Sequence, residues 1–353
     1  PSPRRSRGPV HGAGALPARA ARARSGPEAV CHHVPVTRSS ASSAAPGGGA
    51  PGAGGPCPGG SAGAGGLVTG VAPLRIGPIE VGTPVELAPM AGVTNASFRR
   101  LCREQGESAL PASLRPGAPG PLRAPDGSLT APAGLYVTEM VTTRALVERN
   151  ERTLAMVRPD PAERVRSVQL YGVDPVVAGQ AVRILVEEDL ADHIDLNFGC
   201  PVSKVTRRGG GAALPWKRDL LAAILRETVR AAEAASRAAH RDAVPVTMKM
   251  RIGIDPEHET FLEAGRTAQD AGIAAVTLHA RTAQEHYSGH AHWERVAALK
   301  EAVDIPVLGN GDVWTGDDAA AMMRSTGADG VVVGRGCQGP PWLLADIVHA
   351  LTG

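Results

Sequence analysis

The chain has no Cys-x-x-Cys pair: Cys31, Cys57, Cys102, Cys200 and Cys337 lie far apart. That excludes the disulfide framework of a small secreted domain and the paired ligands of a zinc knuckle, and it fits a reducing, cytoplasmic setting. No apolar run approaches the roughly 18 residues needed to cross a bilayer, so no membrane partner is expected. A large charge excess is also missing, since the 353 residues carry a formal net charge of +2. The balance is uneven. Residues 1–70 hold seven Arg, no Lys and one acid, Glu28, which leaves the remainder at about −4. Bulk charge therefore makes no case for nucleic-acid binding by that remainder.

Residues 1–70 are Gly, Ala, Pro, Ser and Arg with few large apolar side chains. Such a segment cannot bury enough surface to offset ordering entropy and is expected to be disordered. Its Arg-rich, acid-poor character fits a transit peptide. The simpler alternative, an upstream extension of an Ala/Gly-biased reading frame, is preferred.

From Val71 onward, short β-branched or apolar runs alternate with helix-length amphipathic segments, which is the pattern of repeated βα units. Strands are predicted at 85–88, 135–139, 167–171, 193–197, 246–250, 275–279, 306–309 and 330–334. Helices are predicted at 95–104, near Asn150, and at 175–188, 219–239, 256–271, 292–301, 316–325 and 341–351. Asn95, Asp219, Asp255 and Thr315 are read as helix starts. Eight such units point to one α/β domain over 71–353, a closed barrel of the (β/α)8, or TIM, class more than an open sheet, with a monomer favoured. Residues 107–133 are rich in Pro and Gly and break the rhythm; they are expected to be a disordered insertion.

In such a barrel, function collects at the C-terminal ends of the strands. Special residues gather there: Pro89, Met90 and Ala91 after the first strand, Gln169 on the third, Asn197 and Cys200 at the fourth and Lys249 and Arg251 on the fifth. His279 and Arg281 follow at the sixth, Asn310, Gly311 and Asp312 at the seventh, and Gly334 and Arg335 at the eighth. The last two ends suit an anion, because glycines admit close backbone approach and Arg335 adds a charged fork. A lone cysteine is more often a small buried hydrophobe. A thiol near its usual pKa of about 8.5 stays protonated at neutral pH and can serve as a general acid, whereas positive neighbours such as Lys204, Arg207 and Arg208 would favour the thiolate. Lys249 needs an anion, an electron-rich ring or a carboxylate such as Glu139. His286, His290 and His292 are read as part of a substrate-facing loop, not as a metal site.

These residues lie in strings that resemble the bacterial tRNA-dihydrouridine synthases: LAPMAGVTNASFRRLC, LYVTEM, SVQLYG, DLNFGCPVSKVTRRGGGAAL, VTMKMRIG, TLHARTAQEHYSG, VLGNGDV and DGVVVGRGCQGPPWL. They are collinear over residues 74–347. The resemblance implies a TIM barrel that binds FMN, is reduced by NADPH and reduces C5–C6 of a flipped-out uracil in tRNA. By motif, FMN contacts would be Pro89, Met90, Ala91, Gln169, Lys249, His279, Asn310, Gly311, Asp312, Gly334 and Arg335. Cys200 would be the proton donor, and Asn197, Lys204 and Arg281 would face the substrate. Family members carry a C-terminal helical domain that is absent from this sequence, so a weak grip on tRNA is expected. Two competing readings are another FMN barrel of the dihydroorotate-dehydrogenase type, and a flavin- or tRNA-binding remnant without turnover.

Overall fold

The computed structural model describes residues 71–353; the expectations for residues 1–70 lie outside the described residues. The chain opens with two short strands, β1 (Leu74–Ile76) and β2 (Ile79–Val81), and then enters the barrel at β3 (Val85–Leu87). Helix α1 (Ala96–Ala109) follows, then β4 (Leu122–Arg123), β5 (Leu129–Ala131), β6 (Leu135–Tyr136), β7 (Val141–Thr142), α2 (Thr143–Val147) and α3 (Glu151–Val157). The βα rhythm continues through β8 (Ser167–Tyr171), α4 (Pro175–Glu187), β9 (His193–Phe198), α5 (Ser203–Thr206) and α6 (Arg218–Ala238). It ends with β10 (Val246–Arg251), α7 (Phe261–Asp270), β11 (Val276–His279), α8 (Trp293–Ala302), β12 (Val307–Asn310), α9 (Gly316–Thr326), β13 (Gly330–Val333) and α10 (Leu343–Thr352).

The larger sheet runs β6-β3-β13-β12-β11-β10-β9-β8-β7, and all its pairings are parallel. Its two ends meet, because Val137, the residue after β6, forms a parallel bridge to Ser167 of β8. β6 and β7 are thus two parts of the second barrel strand, interrupted at 138–140, and the eight-stranded ring closes. Each of the eight strands expected from the sequence is present, as are the eight helical segments. Asn95 caps α1 through Phe98 N–H, and Thr315 forms a capping box with Asp318. Asp219 lies inside the first turn of α6, where its charge favours the positive helix end. Asp255 instead closes a turn to Glu257 and His258, and α7 begins later, at Phe261.

The period of two along each strand divides the residues into two faces. Val168, Leu170, Ile194, Leu196, Met248, Met250, Val276, Leu278 and Val307 pack outward against the helices. The inward face is mainly polar. Register places Gln169 beside Asp195, Asp195 beside Thr247, Asn197 beside Lys249, Arg251 beside His279, His279 beside Asn310 and Val332 beside Glu86.

The expectation that 107–133 is disordered is corrected. β5 pairs with β2 and β4, giving a four-stranded sheet of order β1-β2-β5-β4. Gly127, at φ +87°, and Asp126, which accepts from Ser128 N–H, close the turn between β4 and β5. Arg164 ties the Pro/Gly-rich approach by donating to the carbonyls of Ala118 and Gly120 and to Glu107. The sheet buries Leu74, Ile76, Ile79 and Val81 against Leu135, Ala275, Leu308 and Val332, closing the end of the barrel opposite the strand C-termini.

Candidate active site

The C-terminal ends of the strands surround a cavity of about 340 Å³. All eleven residues predicted to hold a cofactor line it, together with Asn197 and Cys200. Ala88 and Val332 give it an apolar floor, and Lys249, Arg251 and Arg335 give it a positive wall.

Lys249 reaches from β10 past β11 and donates to Asn310 Oδ1 on β12 at 2.8 Å, while Asn310 donates to the carbonyl of Val332 at 2.7 Å. Burial and then the charge of Arg251 push the Lys249 ammonium down to about 8, against the opposing pull of Glu86 and Asp195. Burial and then Asp195 push the Glu86 carboxyl up to about 8. The carboxylates facing Lys249 are therefore Glu86 and Asp195, not Glu139, which accepts from Gly92 N–H. His279 is held neutral, its pKa well below the usual value, by burial and then by Arg251, Lys249, Arg281 and Arg335.

At the mouth, the Arg335 guanidinium lies 4.5 Å from the Tyr287 ring centre and 5.4 Å from that of Trp314. Burial, then the charge of Arg281, lowers its pKa. Burial alone would raise the Asp312 carboxyl, but hydrogen bonds from Arg281 and Ala291 N–H, together with the charges of Arg281 and Arg335, hold it below the usual range. The cation-lined wall, the apolar floor and the neutral His279 fit a flat, anionic cofactor. Gly334 lies on this wall, where a Cβ would make only ordinary contacts, 3.5 Å from Ala88 Cβ and 3.6 Å from Met90 Sδ.

Cys200 is half-buried on the turn after β9. Asn197 Oδ1 accepts from Gly199 N–H and Cys200 N–H, and its amide donates to Gln169 Oε1 and approaches Met140 Sδ at 3.5 Å. Gln169 in turn donates to Asp195 Oδ2 at 2.7 Å. Behind the turn, Ala212 N–H donates to the Cys200 carbonyl at 3.0 Å. Gly211, at φ +56°, packs so closely that a Cβ would lie 2.4 Å from that oxygen, which explains the last glycine of the run after Arg208.

Two predicted substrate residues do not line the cavity. Lys204 is exposed on α5, outside it. Arg281 is 1% exposed and turned away. Its N–H donates to the His279 carbonyl, a turn that ends the strand's alternation, and its guanidinium holds Asp312 and the carbonyls of Ser288 and Gly289. Conversely, Tyr287, Trp314 and Gln338 line the cavity without having been assigned to it, and so do Arg251, noted at the fifth strand but given no contact, and His286, expected on a substrate-facing loop. Arg251 was recoverable, since it shares the inward face of β10 with Lys249. It donates to the carbonyls of Gly199, Thr282 and His286, and burial pushes it down to about 10. His292 pairs with Glu285, and among the described residues no group of His, Cys, Asp and Glu is arranged to hold a metal ion. Also among them, no helix is long and apolar enough to cross a membrane.

The dihydrouridine synthase family model matches residues 86–353. A probable tRNA-dihydrouridine synthase of Mycobacterium leprae is 56% identical over 270 residues, covering 76% of this chain and 68% of that protein. A probable tRNA-dihydrouridine synthase of Mycobacterium tuberculosis is 53% identical over 274 residues, and the match spans 77% of this chain and less than two thirds, 64%, of that protein. The tRNA-dihydrouridine synthase B of Salmonella typhimurium is 38% identical over 265 residues, covering 75% and 71%. Among solved structures, histamine dehydrogenase from Rhizobium sp. 4-9 superposes with a TM-score of 0.53 at 16% identity, over 81% of this chain and 48% of that one, which shows a shared fold. By the extent of the family match and the identity to these relatives, the chain belongs to the dihydrouridine synthase family.

Proposed function

We propose that the chain is the catalytic barrel of a flavin-dependent oxidoreductase that reduces the C5–C6 bond of a uridine in tRNA to dihydrouridine. The observation that carries this reading is the placement of Cys200 on the rim of a cation-walled cavity, held there by the Asn197 turn. FMN, bound by the eleven cavity residues named above and reduced by NADPH, would supply hydride to C6 of the uracil. The chain's own residues do the rest. Lys249, Arg251 and Arg335 bind negative charge, and neutral His279 offers a hydrogen bond without adding a cation. Addition of hydride at C6 leaves enolate character at C5, and the Cys200 thiol holds a proton at Sγ to quench it. Extraction of the base from the RNA stack costs a few kcal/mol, offset by contacts at the rim.

The test is a flavin absorbance spectrum of the purified chain, followed by NADPH oxidation with and without unmodified tRNA. A flavin band and tRNA-stimulated oxidation support the reading. Flavin with oxidation indifferent to tRNA but stimulated by a free pyrimidine would favour a dihydroorotate-type enzyme.

A further inference from the structure

Beside the cavity, the stretch from Cys200 to Arg230 departs from the acidic balance of residues 71–353. It carries seven basic side chains against two acids, Asp219 and Glu227. Five of the basic groups fall into two sets. Lys204, Arg207 and Arg208 are exposed on α5 and the turn behind it. Arg226 and Arg230 stand one turn apart on α6 and, with Arg183 of α4, line an open groove whose near end is Pro175 and Val176.

The loop after β8 joins the sets. Tyr171 at the end of β8 lies within electrostatic reach of both Cys200 and Arg208. Two residues on, Val173 packs under the Arg208 turn, so that a Cβ on Gly210 would lie 3.1 Å from its Cγ1. Pro175 then begins α4 and the groove. The segment from Tyr171 to Pro175 therefore leads from the Arg208 turn to the groove. The groove is not a merely solvated, self-neutralised helix face. Glu227 accepts from Arg230 at 2.7 Å and lies 3.9 Å from Arg183, so one carboxylate serves two guanidinium groups. Arg226 is exposed and makes no ion pair among the described residues. Val176 and Val202 are also exposed.

We propose that this groove is a phosphate track. The sugar–phosphate backbone of the RNA whose uridine enters the cavity passes Arg208 and runs between α4 and α6 over Arg226 and Arg230. Guanidinium forks suit phosphate oxygens, and residues four apart on a helix present them in a row. A barrel of net negative charge needs such a local strip to hold a polyanion. The proposal rests on the RNA-modifying reading above and assigns that substrate a path outside the cavity.

The test is binding of an unmodified tRNA transcript to the full chain across a salt series. The variant Arg226→Ala/Arg230→Ala is compared with Arg266→Ala/Arg324→Ala, which removes equal charge from α7 and α9. Each lost phosphate contact flattens the log K against log [salt] slope by roughly 0.7–0.9, so the groove variant should flatten it by roughly 1.5 and bind about tenfold weaker near 0.1 M salt. The control should hardly change, and Arg226→Lys/Arg230→Lys should restore the slope. Dihydrouridine formation at saturating tRNA should keep its kcat in the groove variant while KM rises. Equal slopes and affinities in both double variants would overturn the track, and dihydrouridine formation by the unaltered chain would show that the functional reading survives. If the unaltered chain neither binds tRNA nor forms dihydrouridine, both are overturned.

Discussion

Asn197 Oδ1 accepts hydrogen bonds from the backbone N–H groups of Gly199 at 3.1 Å and Cys200 at 3.0 Å, while the Asn197 amide donates to Gln169 Oε1 at 2.8 Å. One side chain thus transmits the register of the barrel interior to the turn that carries the thiol. Asn197→Ala leaves two N–H groups without their acceptor and lets the turn drift. A displacement near 1 Å costs about 100-fold in rate, so dihydrouridine formation at saturating tRNA should fall by about that factor. Asn197→Asp keeps the accepting oxygen, loses the donor to Gln169 and should lose less. Product yield and flavin absorbance, measured on the same samples, separate turn geometry from cofactor loss.

Arg335 is the cavity cation held between two aromatic rings, Tyr287 and Trp314. Its fork is pre-oriented for a phosphate. Arg335→Ala removes a charge-assisted contact of about 1.5–3 kcal/mol, which is roughly a 10- to 150-fold rise in the FMN dissociation constant. Arg335→Lys should recover only part of it. Flavin content after dilution and gel filtration checks this, and full occupancy in Arg335→Ala would place the phosphate elsewhere.

His193 predicts a pH dependence of stability. It is fully buried, and burial pushes its pKa down to about 4. Thr247 spends its hydroxyl hydrogen on Asp195 Oδ1, so His193 Nε2 donates to Thr247 and Nδ1 accepts from Ser167. The ring is therefore neutral in the folded chain. Between pH 6.5 and 4 the unfolded chain binds a proton that the folded chain does not. The contribution is complete above pH 6.5 and is lost as pH falls toward 4, by an amount of about 3 kcal/mol. His193→Gln should show a smaller drop in thermal midpoint across that window. Parallel curves for both proteins would contradict the assignment.

The barrel was legible because each βα unit repeats the same local pattern, and 167–171 is matched residue for residue. The small sheet was not. Its strands are two or three residues long, and β5 joins β2 across the whole of α1, a pairing that no local pattern announces. Pro and Gly in 107–133 signalled loops correctly but concealed the hairpin between them. Within the site, position at a strand end was legible while side-chain direction was less so. His279 lies on β11 and faces the cavity, but the turn at Arg281 reverses the next expected inward position. Tyr287 and Trp314 sit on loops, where no period points at the cavity.

In the proposed reaction Cys200 delivers the proton and does not hold the cofactor. Cys200→Ala and the unaltered chain should be loaded with FMN, reduced with NADPH without oxygen, and mixed with excess unmodified tRNA. Dihydrouridine is then read as a gain of two mass units in the modified nucleoside. Flavin content and reduction by NADPH should be equal in both proteins, with product formation in Cys200→Ala slower by about 100- to 10,000-fold, the usual worth of a general acid. Product formation at the same rate in both proteins would contradict it.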